Sequence, residues 1–231
     1  MSRREGSLIV WRMARAISLV LLMALCSCTS GTEGEPEPTI GPGASTPVEA
    51  VEGLIGAINE PDFSEASGMA IPGHAALAAL AEGATFGEVA AALTEGDAEI
   101  AANFWAGFAQ GTGNFLSGDV TAADEGVVNE GDVEFHTVMV QPAEGGSRTL
   151  IVRDEDGYRV DLFASFGAGL AARMQGPVER LLTTQTGEAR LILAELQEIV
   201  PSLLVAAQQP GTTSEASQQL LALVEVITRV G

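Results

Sequence analysis

Between Asp119 and Phe163 the apolar pattern changes period. It shifts from the three-to-four-residue spacing of helices to the two-residue alternation of strands, and afterwards shifts back. Asp119–Val128, Asp132–Gln141, Arg148–Arg153 and Tyr158–Phe163 read as four strands. Asn129-Glu130-Gly131, Pro142–Gly146 and Asp154-Glu155-Asp156-Gly157 connect them, and all three are rich in turn-forming residues. Connections this short leave no room for a crossover, so the strands must follow one another as an antiparallel meander. In the second strand, Val133, Phe135, Thr137 and Met139 alternate with Glu134, His136, Val138 and Val140. That predicts a strand buried on one side and partly on the other.

Helices precede and follow this block. Thr46-Pro47-Val48-Glu49 supplies an N-cap, a proline at the first helical position and a capping-box glutamate. Val48, Val51, Leu54, Ile55 and Ile58 then share a face, and Asn59-Glu60-Pro61 ends the helix. A second capping box, Thr85-Phe86-Gly87-Glu88, opens a helix reaching about Leu93. Asp97 is placed to cap a third, with Ile100, Phe104, Trp105 and Phe108 on one face and Gly111 and Gly113 as terminators. Trp105 is expected to anchor the core. After Ala164 the pattern is helical again. Gly187 either separates two helices or sits inside one, and Pro201 bends or breaks the run carrying Leu191, Leu193, Leu196, Ile199 and Val200. Beyond Pro210-Gly211, Thr212 and Glu215 offer a further capping box, with Leu220, Leu223, Val224, Ile227 and Val230 facing one way. The fold class that follows is α+β: helices packed on a four-stranded antiparallel meander, with a C-terminal helical extension.

The charge is one-sided. The net charge is −20, all 11 basic residues are arginine, and none lies between Arg15 and Arg148. Nucleic acid and anionic lipid head groups both need basic contacts, so neither is an expected partner of this surface. Both cysteines, Cys26 and Cys28, lie near the start of the chain. A body without them has no disulfide, no thiolate nucleophile and no cysteine metal site.

Ala16–Leu25 is an uncharged apolar run of ten residues behind a basic stretch. It is shorter than the roughly 20 residues that span a bilayer, and this layout is that of a secretory signal. Leu25-Cys26-Ser27-Cys28 resembles the bacterial lipoprotein signature, in which an aliphatic residue and two small ones precede an acylated cysteine. The resemblance implies a signal peptide over residues 1–27 and lipidation of Cys28. Translation from Met13 would give a shorter signal with the same anchor, and Arg3-Arg4 leaves the twin-arginine export route open. Thr29–Thr46 is rich in Gly, Pro, Ser, Thr and Glu, so residues 28–46 read as a disordered tether. An α+β domain over 47–163 and a helical extension over 164–231 packed on it complete the organisation.

The stretches TPVEAVEGLIGAINEPDFSEA, GDVTAADEGVV, DVEFHTVMV and RTLIVRDEDGYRVDLF, within residues 46–163, resemble the nuclear transport factor 2-like superfamily. The resemblance rests on an opening helix that ends in Asn-Glu-Pro-Asp-Phe and on the hairpin DEDGYRVD, and it covers about half the chain. It implies a cone of helices on a curved sheet with a pocket between. A helical insert at 72–112 and the tail after 164 depart from the family pattern, and either is placed to fill that pocket.

In enzymes of that superfamily a pocket His or Asp serves as general base, which needs a partly dry site. Asp132, Glu134, His136, Tyr158 and Asp161 are the residues here that could gather near one sheet end. The plainer reading is an outward-facing polar strand. His74, behind Pro72-Gly73, suits a capping or surface role. The acidic run Asp154–Gly157 lacks the further ligands and closing glutamate of a calcium loop and reads as a hairpin turn. No metal, phosphate or cofactor motif is present, because Gly111-Thr112-Gly113 follows a helix and no lysine exists. The expected molecule is therefore a lipid-anchored extracytoplasmic protein of the cell envelope, non-catalytic and without a cofactor. It would bind a small apolar ligand or an envelope protein. The alternatives are an isomerase- or cyclase-type enzyme and an envelope structural or assembly factor.

Overall fold

The structure is a computed structural model. It describes residues 43–206 except 61, 96, 97, 117, 118, 131, 132 and 144, together with positions 219, 222, 223 and 226. The expected export signal, Cys28, most of the segment read as a tether, Asp97, Asp132 and the expected Thr212–Glu215 capping box lie outside the described residues.

The described residues run through five helices, four strands and two more helices. Helix α1 (Pro47–Asn59) starts where its capping box requires: the Thr46 hydroxyl accepts from the Glu49 amide at 3.1 Å. Helix α2 (Phe63–Met69) is capped by Asp62, whose carboxylate accepts from the Glu65 amide. After α3 (His74–Ala78) and a 3-10 turn at Ala79–Glu82, α4 (Phe86–Glu95) opens with reciprocal bonds between Thr85 and Glu88. Those bonds favour the ionised carboxylate and hold Glu88 below the usual glutamate range.

Helix α5 (Ala98–Leu116) runs through Gly111 and Gly113, which were expected to stop it. The reason is tertiary. A Cβ on Gly107 would lie 2.6 Å from the Glu82 carboxyl carbon, and one on Gly111 would lie 3.6 Å from Arg173. The bare backbone at Gly107 gives room to the Glu82–Arg173 ion pair, while at Gly111 a Cβ would make only ordinary contact. A glycine inside a helix costs about 1 kcal/mol, which packing elsewhere along α5 outweighs.

The sheet has the expected order β1-β2-β3-β4, antiparallel throughout: β1 (Val120–Glu130), β2 (Val133–Pro142), β3 (Arg148–Asp154) and β4 (Tyr158–Val160). A bulge between Asp124 and Gly126 interrupts the β1–β2 register. Gly126 takes a φ of 115°, and the Asp124 carboxylate accepts from its amide at 2.8 Å. Strand β4 is shorter than expected. The read strand ran to Phe163, but the Asp161 carboxylate accepts from the Ala164 amide at 2.8 Å and turns the chain into α6 (Leu162–Thr184). β3 would otherwise lose its partner there. The Asp161 amide donates to the Ile151 carbonyl, and the Ser165 hydroxyl accepts from the Ile151 amide at 2.9 Å. One side chain of the first helical turn thus stands in for a missing strand.

The core is continuous. Val138, Val140, Leu150, Val152 and Val160 of the sheet share it with Ala50, Val51 and Leu54 of α1 and with Phe104, Trp105 and Phe108 of α5. The rings of Phe104, Trp105, Phe108 and Phe166 stack edge-on or tilted, with centroids 4.9 to 5.5 Å apart. Trp105 is fully buried, as expected, and its indole N–H donates to the Ser67 hydroxyl at 2.9 Å. Leu162, Phe163, Phe166, Leu170 and Met174 place α6 in the same core. The boundary drawn after Phe163 therefore crosses a helix, not a seam. Gly187 separates the two helices: it stands at the start of α7 (Gly187–Ala206) with a φ of 64°, which costs glycine least. Helix α7 continues through Pro201. Leu223, on the expected C-terminal apolar face, is buried in the core.

The end of the segment read as tether belongs to the fold. Ala44 pairs with Tyr158 through two backbone hydrogen bonds, and the Gly43 amide donates to the Asp156 carbonyl. Gly43 and Gly157 touch so closely that a Cβ on either would meet backbone of the other within 3 Å.

Candidate functional site

Two polar clusters flank the lower half of the sheet. The first forms where β4 becomes α6. Asp161 is held there by its capping role and is completely buried. His74, at the first position of α3, is also completely buried, and its Nδ1 lies 3.6 Å from Asp161 Oδ1. Arg153 of β3 sits 3.9 Å from Asp161 Oδ2 and makes a 2.8 Å salt bridge to Glu155. The Phe163 ring stands edge-on to the imidazole at 5.0 Å.

This arrangement opposes a charged histidine. Burial pushes the His74 pKa down from its ordinary value; nearby Asp161 pulls it up, and Arg153 pushes it down again. The 3.6 Å separation is beyond hydrogen-bonding reach, and neither ring nitrogen has a hydrogen-bond partner among the described residues. Asp161 instead ties β3 to α6, its amide donating to the Ile151 carbonyl and its carboxylate capping the helix. A histidine beside an aspartate has the composition of a catalytic dyad. Here no substrate atom can reach it without the core opening.

Arg159 strengthens the same corner. It is buried, donates to the Gly68 carbonyl in the last turn of α2 and reaches the Glu155 carbonyl at 3.4 Å. A cation at a helix C-terminus is favoured by the helix dipole and by carbonyls with no intrahelical partner. Burial lowers its pKa from the ordinary arginine range, and Asp156 and Glu155 counter that shift.

The second cluster gathers on the other side of the sheet. His136 Nε2 lies 3.6 Å from Glu134 Oε1, and the Tyr158 ring stands edge-on to the imidazole at 5.0 Å. The His136 side chain is 12% exposed, while Glu134 at 63% reaches into solvent. His136 Nδ1 is buried without a hydrogen-bond partner among the described residues. The geometry leaves one imidazole nitrogen pointing toward a carboxylate at the surface.

Of the five residues expected at one sheet end, Glu134, His136 and Tyr158 come together, and Asp132 lies outside the described residues. Asp161 does not join them. It follows β4 on the opposite pleat and faces Arg153, because successive side chains in a strand point to opposite sides. His74, read as a capping or surface residue, is a core histidine. Arg153, Arg159 and Phe163 were not singled out from the sequence. Two arginines flanking an acidic turn, in a stretch otherwise poor in cations, were the available signal. Among the described residues no group of three or more His, Cys, Asp or Glu could hold a metal ion, and no helix is long and apolar enough to cross a membrane.

Comparison with known proteins returns no match: no family model, no curated protein and no solved structure resembles the chain at a significant level.

Proposed function

We propose that this chain is a lipid-anchored, extracytoplasmic envelope protein whose folded body binds a partner without chemical turnover. The anchor half of the reading rests on the Leu25-Cys26-Ser27-Cys28 signature behind its ten-residue apolar run. The binding half rests on one observation: the His74–Asp161 pair, the arrangement closest to catalytic machinery, has no exposed surface. Asp161 serves as the cap of α6, and His74 is packed into the core. The stacked rings of Phe104, Trp105, Phe108 and Phe166 fill the helical side of the core, which favours a protein partner over a small apolar ligand.

Two experiments test the halves separately. Cys28→Ala should move the protein from the membrane fraction to the soluble fraction and abolish incorporation of labelled fatty acid; unchanged membrane association would sink the anchor. Turnover of any substrate by the purified protein, lost on His136→Ala with the fold intact, would sink the non-catalytic reading. That second outcome would favour an isomerase- or cyclase-type enzyme of the nuclear transport factor 2-like kind. The feature supporting this alternative is the His136 imidazole between Glu134 and Tyr158, with one nitrogen near the surface.

A further inference from the structure

We propose that the outer edge of β1 is a docking strand, and that its occupant is an extended, basic segment of a partner protein added to the sheet as a fifth strand. The inference deepens the partner-binding reading and does not depend on the lipid anchor.

The two edges of the sheet differ. At β4 the backbone is covered: Ala44 bonds Tyr158 in antiparallel fashion, and the Ile71 amide donates to the Val160 carbonyl beside a parallel bridge at Ala70. At β1, which has 11 residues, no described residue pairs with the outer edge. An uncovered edge presents a row of amides and carbonyls that a foreign strand can take up.

The lower arm of β1 is the best-formed part of that edge. Past the bulge, Gly126–Glu130 pairs with Val133–Thr137, whereas β3 pairs with β2 only over His136–Val140. The hairpin tip therefore extends beyond β3 as a two-stranded ribbon. Two strands alone are marginally stable in water, and a third stabilises them. Val127 and Val128 are 47% and 45% exposed, one on each face of this ribbon. Alternate side chains of an added strand would cover both.

Charge selects the occupant. Asp119, Asp124 and Glu125 are exposed along β1, and neither β1 nor β2 contains an arginine or lysine. A second copy of this chain would set like-charged strands side by side, which opposes pairing. A segment with alternating arginine or lysine would instead meet carboxylates while its main chain completes the ladder.

The test uses the full chain and three synthetic octapeptides. The first alternates Val and Arg. The second replaces Arg with Glu. The third is the Val/Arg peptide N-methylated at alternate residues on its pairing edge, so that charge is kept and the ladder is blocked. Saturable binding of the first, at least tenfold weaker binding of the other two, and slowed amide exchange at Val127–Asn129 support the proposal. Asp124→Asn combined with Glu125→Gln should weaken the first peptide several-fold. Three results overturn it: no binding of the first peptide, equal binding of the N-methylated peptide, or self-association of the chain that is lost on Val128→Asp. Loss of the anchor would be read independently by membrane fractionation of Cys28→Ala.

Discussion

The two edges of the sheet carry similar backbone and opposite surroundings. At β4, two short segments cap the strand, an arginine is buried against a helix end, and Asp161 braces Arg153 beside a core histidine. At β1 the strand is long, bulged, acidic and uncovered among the described residues. The contrast divides stability from recognition. Substitutions on the β4 side should cost folding free energy, and those on the β1 side should cost binding alone.

The largest effect is expected at Asp161. Asp161→Ala removes the cap of α6 and the buried carboxylate 3.9 Å from Arg153, which keeps its 2.8 Å bridge to Glu155. A lost helix cap costs about 0.5–2 kcal/mol, and leaving buried polar neighbours without the carboxylate adds about 1–3 kcal/mol. Denaturant unfolding should show a loss of that size. A loss below about 1 kcal/mol would mean that Asp161 does not brace the corner, and the division would fail at its strongest point.

Next is Gly43. A Cβ there would meet the Gly157 carbonyl carbon at 2.6 Å, so Gly43→Ala should undock the segment from β4. The two hydrogen bonds between Ala44 and Tyr158 would go with it, worth about 1–3 kcal/mol together. Amide exchange at Ala44 and Tyr158 should accelerate while β1 is unaffected.

These two residues also show what could be read from sequence and what could not. The capping boxes at Thr46 and Thr85 and the four strands were legible, because caps and alternation are written in side chains. The docking of Gly43–Ala44 was not. It is made by backbone groups and by the absence of side chains at Gly43 and Gly157, so a Gly/Pro/Ser/Thr tract looks the same whether docked or free. Gly111 misled for a related reason: a glycine that ends a helix and one that lies inside it are identical in sequence. In the candidate site, His136 and Glu134 were paired correctly because strand alternation places them on one face. Asp161 was misplaced because it sits an odd number of residues from Tyr158 and so falls on the opposite pleat, where it caps α6, and His74 because nothing local signals that a helix-initial histidine will be buried.

His74 gives the third prediction, a smaller and pH-dependent one. Its folded-state pKa is depressed by burial, so the unfolded chain binds the proton more readily. The stabilisation from keeping it neutral is complete above the ordinary histidine pKa of about 6.5 and declines as pH falls below that value. The decline has a limiting slope of about 1.4 kcal/mol per pH unit and ends once the folded-state pKa is passed. Unfolding measured from pH 7.5 down to 5 should show this slope, and His74→Phe should flatten it whatever it does to stability at pH 7.5. A slope unchanged in the variant would assign the pH dependence to other groups.

The smallest stability effect is expected on the other edge, and it bears most directly on the comparison. Val127→Thr and Val128→Thr replace half-exposed side chains with another β-branched residue, so strand propensity is kept and little burial is lost. Each should change unfolding free energy by less than about 0.5 kcal/mol, as surface substitutions usually do. If the valines were instead part of an unrecognised core contact, the cost would approach the 1.5–3 kcal/mol of a fully buried valine. In the Val/Arg peptide assay the same pair should weaken binding, because one valine would lose the peptide's valine face and the other the aliphatic stems of its arginines. Neutral stability with weakened binding is the signature of a surface kept open for a partner. Neutral stability with unchanged binding would leave β4 as the only edge of this sheet with an assigned role.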